Sequence, residues 1–126
     1  MASKYILELN GINIGYTEFE FADPPMGVVH GKIIFDGIDS PYDLFRNHCK
    51  KYKIQINSDF PKEKFIDTIV IPELKILLQN GSQLPGWGGA ITGMDSDQFE
   101  IQFGGVTSEL MQTEFKHHYV KYFGHE

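Results

Sequence analysis

The adjacent prolines at positions 24 and 25 constrain this chain more than any other feature. They join two apolar segments, Phe19-Glu20-Phe21 and Val28-Val29-His30-Gly31-Lys32-Ile33-Ile34-Phe35. Each proline removes a backbone donor and fixes one φ angle, so no regular helix or central strand can run through them. Residues 23–26 are expected to be extended and unpaired, with Gly27 free to adopt a conformation that other residues avoid. Such a segment hands the chain from one strand to the next, and the rest of the fold must be arranged on either side of it.

Before it, Tyr5, Leu7 and Leu9 alternate with Ile6 and Glu8, and Asn10-Gly11 supplies a two-residue turn that needs positive φ, which together predict a hairpin. Its return strand is expected over residues 12–21, with Phe19 and Phe21 on one face, Glu18 and Glu20 on the other, and a bulge or bend at Gly15. After the prolines, residues 28–35 read as a third strand, with His30 sharing a face with Val28, Lys32 and Ile34. Ser40-Pro41 is a hydroxyl cap followed by proline at the first helical position, predicting a helix over 41–51. Residues 54–56 suggest a short strand, and the polar run 57–64 an exposed, mobile loop.

The second half alternates similarly. Residues 65–71 and 73–78 read as strands interrupted by Pro72, and Asn80-Gly81 marks another tight turn. A glycine-rich loop, Leu84-Pro85-Gly86-Trp87-Gly88-Gly89, precedes strands over 90–94 and 98–103 that pair across Asp95-Ser96-Asp97. Phe99, Ile101 and Phe103 face one way and Gln98, Glu100 and Gln102 the other, the pattern of a sheet with one wet face. Met111, Phe115, His118 and Tyr122 recur at helical spacing, predicting a helix over 108–123 capped by Thr107 or Ser108. These elements define an α+β fold: a twisted, mostly antiparallel sheet with two helices in one domain, residues 1–126.

The 126 residues are enough for one core without disulfides or metals, and Cys49 has no cysteine partner. Seventeen carboxylates against eleven Lys and Arg give a net charge of −6, and only one arginine, Arg46, is present. No basic stripe exists to neutralise phosphates, which excludes an ordinary nucleic-acid binder. The apolar runs are too short to span a membrane, and Met1-Ala2-Ser3-Lys4 does not open a signal peptide, so a cytoplasmic protein is expected.

Four stretches carry a resemblance: Asn10-Gly11-Ile12-Asn13-Ile14-Gly15; Ala22-Asp23-Pro24-Pro25-Met26-Gly27-Val28-Val29-His30-Gly31; Ile71-Pro72 with Leu74 and Gly81; and Glu114-Phe115-Lys116-His117-His118 with Val120. In these the chain resembles a group of small bacterial proteins with an N-terminal Asp-Pro-Pro-Met-Gly-Val segment. That group is defined by pattern rather than by activity, so the resemblance implies a bacterial origin and little chemistry. In size and acidity the chain is also similar to immunity proteins, which neutralise toxic nuclease domains.

The chemical candidates each have a plain structural alternative. His30, His117 and His118 could act as acid and base or bind a metal, but His117 and His118 diverge by about 100° on a helix. No His-x-x-x-His spacing accompanies them, and a core histidine bonded to the sheet explains His118 as well. The Gly86–Gly89 run lacks the Gly-Lys-Ser/Thr ending of a phosphate loop. Asp95-Ser96-Asp97 lacks the glycine and terminal glutamate of a calcium loop. Trp87 is either tucked over a sheet edge or exposed as an anchor. The reading that follows is a binding protein without cofactor or metal, more inhibitor than enzyme. Glu18, Glu20, Asp23, Asp36, Asp39, Asp95 and Asp97 are its candidate contacts to a basic partner such as a toxin domain, with Trp87 as anchor. The rivals are a hydrolase using His30 with His117 or His118, and a homodimer pairing through a free sheet edge.

Overall fold

A computed structural model describes residues 3–124; Met1 and Ala2, part of the opening read for a leader, lie outside them. The first hairpin forms as its turn residues require. Strand β1 (Tyr5–Leu9) pairs antiparallel with β2 (Ile12–Thr17), and Asn10 and Gly11 take φ of 54° and 83°. The register slips between Leu7 and Glu8, leaving Ile14 as the extra residue of a bulge. At Gly15 any side chain would collide with the Ile34 carbonyl, so glycine is what lets the next strand approach.

The predicted return strand over 12–21 is shorter than expected. It ends at Thr17, and the chain leaves for a second sheet through Glu18–Glu20, with Phe19 at φ 45° and fully buried. Phe19 and Phe21 therefore do not share a face: Phe21 starts β3 (Phe21–Asp23) and is 58% exposed. The Pro-Pro passage is also tighter than an extended link. Pro24–Met26 forms one 3-10 turn, Gly27 closes it at φ 66°, and β3 reverses directly into β4 (Val28–Lys32). Proline's fixed φ suits a 3-10 turn as well as an extended chain, and Gly27 decides for the turn. The third strand likewise breaks at Ile33, and β5 (Ile34–Phe35) returns to pair with β2.

The helix α1 (Pro41–Lys51) begins as predicted, with Ser40 Oγ accepting from the Asp43 amide at 3.1 Å. The predicted loop over 57–64 is instead strand β6 (Ile56–Phe60) and a turn into β7 (Phe65–Thr68). What holds these polar residues in a strand is tertiary: Asp59 accepts from the buried Tyr42 hydroxyl and from Arg46 Nε at 2.9 Å. Burial raises the Asp59 carboxyl, but the Tyr42 and Arg46 hydrogen bonds and the guanidinium charge outweigh it, and the net shift is below the ordinary carboxylate value. Burial, then the bond to Asp59, pushes the Tyr42 phenol up to about 12.

After Pro72 the chain crosses sheets again into β8 (Leu74–Leu77), turns through Asn80-Gly81, and continues as β9 (Gly88–Met94) and β10 (Phe99–Gly104). The strands form two antiparallel sheets, β5-β2-β1-β8 and β3-β4-β10-β9-β7-β6, rather than one. Leu7, Ile14 and Ile76 of the first sheet and Val29, Ile66, Ile91 and Ile101 of the second belong to one buried core. Fully burying an aliphatic side chain of this kind contributes roughly 1.5–3 kcal/mol, so the shared core is what keeps the sheets together.

The C-terminal helix breaks in two, giving α2 (Ser108–Thr113), capped by Thr107, and α3 (Lys116–Phe123), and so a third helix. At the break Phe115 leaves helical geometry (φ −111°, ψ 36°), and its ring packs on Tyr5 and Phe19 at centroid distances of 5.6 and 6.0 Å. Glu114 accepts a hydrogen bond from Tyr5 at 2.7 Å, and His118 Nε2 donates to the Phe19 carbonyl at 2.7 Å. The break thus lets Met111, Phe115 and His118 all reach the interior, whereas Tyr122, expected on the same stripe, is 58% exposed.

Candidate functional site

The acidic candidates gather where the chain passes between the sheets. Glu18 and Glu20, on the crossing after β2, line a groove of about 470 Å³ with Lys32, Ile34, Gln98 and Glu100. Asp39, Asp95 and Asp97 line a neighbouring groove of about 510 Å³, whose wall includes the same Lys32, Ile34 and Gln98. The two adjoin at that shared wall, and this seam channel of two neighbouring grooves is lined by six carboxylates and Lys32.

The members are not equivalent. Asp95 is committed to the fold: one oxygen accepts from Ser40 Oγ at 2.5 Å and the other from the Tyr42 amide at 2.8 Å, clamping the start of α1. Glu20 accepts from the Lys32 amide at 2.9 Å, which holds the crossing against β4. Its carboxylate also lies where a side chain at Gly31 would stand, a Cβ there falling 2.5 Å from Glu20 Oε1. Asp39 and Asp97 are exposed on the rim, and Glu18 is half-buried.

Three predicted contacts lie elsewhere. Asp23 ends β3 beside the Pro-Pro turn, and Asp36 follows β5, its amide bonded to the Ile14 carbonyl, outside the residues that line either groove. Trp87 is 78% exposed, so it is not tucked away, and one side of its ring lies over Gly104 and Gly105 at the end of β10. Its amide donates to the Gly104 carbonyl at 2.9 Å, at the far end of β10 from the seam, ~17 Å along the strand. The tryptophan and the seam acids consequently occupy opposite ends of the six-stranded sheet, not the single patch expected from the sequence.

Two residues that sequence patterns do not single out complete the channel. Glu100 and Lys32 are register partners across β10 and β4. Glu100 is legible as a solvent-facing residue of its strand, but its place beside Glu20 depends on strand order, which no local pattern carries.

The histidines are partly brought together. His30 stands on the outer face of β4, its ring stacked on Phe21 at 5.2 Å. His118 is buried at its bond to Phe19, and the exposed His117 ring lies 4.0 Å from it. Burial, with the charge of His118 second, pushes the His117 imidazole below its ordinary value. Among the described residues no group of three His, Cys, Asp or Glu is placed to hold a metal ion.

No family model, curated protein or solved structure matches the chain. Among the described residues no helix is long and apolar enough to cross a membrane.

Proposed function

We propose that this chain is a small acidic binding protein that neutralises a basic protein partner, in the manner of an immunity protein acting on a toxic nuclease domain. The observation that carries this reading is the seam channel, lined by six carboxylates and Lys32, with the apolar Ile34 exposed in the wall its two grooves share. A nuclease domain must present cations to phosphates, and a channel lined with carboxylates offers those cations an alternative. Asp39, Asp97, Glu18 and Glu100 make the electrostatic contact. Asp95 and Glu20 keep the channel in shape.

Titrating the protein with the product of the neighbouring open reading frame tests the reading. The expected result is a complex whose association rate falls steeply with salt, and whose affinity falls by about tenfold or more in the Glu18→Lys, Asp97→Lys double variant. Absence of a complex at micromolar concentration and low salt, or unchanged binding by the double variant, overturns it.

A further inference from the structure

A second groove differs in character from the acidic seam. It lies between α3 and the β3–β4 hairpin, encloses about 430 Å³, and is lined by Phe21, His30, His118, Lys121 and Tyr122, with Glu20 at its margin. That volume lies in the ~300–1,000 Å³ range of small-molecule sites. We propose that this groove binds a planar aromatic acid, its ring held between the sheet wall and Tyr122 and its anionic group directed to Lys121.

The walls supply both parts of that recognition. Phe21 and His30 face each other as register partners, and their rings are nearly parallel at 20°. Stacked on each other, they form one aromatic wall on the outer face of the sheet. Tyr122, from α3, brings a second aromatic surface, and Phe21 and Tyr122 are each 58% exposed, so both present open ring area. Open ring area contributed by both the sheet and α3 to one groove favours an offset-stacked aromatic ligand over an aliphatic one. His118 cannot swing away, because its Nε2 is tied to the Phe19 carbonyl at 2.7 Å.

Charge selects the acid. The seam sets Lys32 among carboxylates, whereas in this groove the Lys121 ammonium meets only one, Glu20. One Glu20 oxygen is already occupied by the Lys32 amide at 2.9 Å. In a molecule of net charge −6, a groove that carries a cation and a single carboxylate repels an anion less than the acidic seam does.

The probe is 2-naphthoate, with neutral 2-naphthamide as its control, followed by amide chemical shifts. Saturable shifts at Phe21, His30, Lys121 and Tyr122, with a dissociation constant on the order of 1 mM or tighter, are expected for naphthoate. Lys121→Ala changes an exposed helix position and leaves the fold intact; it should weaken naphthoate about tenfold, the scale of one charge-assisted hydrogen bond, while leaving the amide within about twofold. Phe21→Ala should weaken both compounds. Shifts that fail to saturate at these residues, or an Lys121→Ala variant that binds naphthoate as well as the parent, overturn the proposal.

Discussion

Cys49 shows how placement decides chemistry for a single side chain. It faces inward from α1 among core residues, with no exposed surface, and burial followed by the nearby Glu73 charge pushes its thiol up to about 11. The thiolate is the reactive form, so the native thiol should be inert. At pH 8 a disulfide reagent such as DTNB is expected to leave the folded protein unlabelled and to react with one equivalent on unfolding in guanidinium. Rapid labelling of the native state would show that the helix opens locally. That Cys49 is a buried residue rather than a reactive one is legible from its solitude in the sequence. The neighbouring pair of His48 Nε2 and Glu73 Oε1, 2.7 Å apart, is not, because Glu73 arrives from the loop before β8.

Elements whose ends carry their own turn chemistry can be read directly from the residues. The β1–β2 hairpin follows from Asn10-Gly11 and the start of α1 from Ser40-Pro41, each a local conformational requirement. Elements that depend on a distant partner cannot. Strand β6 reads as a loop because Asn57, Ser58 and Asp59 favour turns, and it is pairing with β7 and the Tyr42 and Arg46 bonds to Asp59 that hold them extended. The seam channel is of the same kind, since its residues come from separate crossings that strand order alone brings together. The clamp at the start of α1 gives a measurable case. Asp95→Ala removes acceptors from Ser40 Oγ and the Tyr42 amide and should lower stability by about 1–3 kcal/mol, read as a shift in urea midpoint. Glu18→Ala, in the same channel, should stay within about 0.5 kcal/mol, as do most substitutions away from such networks.

For the molecule as a whole, acid is the expected route to unfolding, in two stages. His117 sits below its ordinary 6.5 when folded, so as pH falls through that value the unfolded chain takes up the proton first and stability begins to drop. Asp59 sits below its ordinary 3.8 when folded; the stability it contributes is fully present above that value and is lost as pH falls towards its folded value. Melting temperature measured from pH 8 to pH 2 should therefore decline with acidification in both windows. His117→Gln is expected to flatten the upper one and Asp59→Asn the lower. An increase in melting temperature on acidification from pH 7 to pH 5 would contradict the assigned direction for His117.

The chain passes from one sheet to the other at Glu18–Glu20, at Ile33, through α1, around Pro72 and again between β8 and β9. The two layers are in this sense laced rather than stacked, joined by covalent crossings as well as by the shared core. The acidic channel is built on that lacing, and two of its carboxylates, Asp95 and Glu20, are bonded to the start of α1 and to β4, so its walls are set by the fold itself.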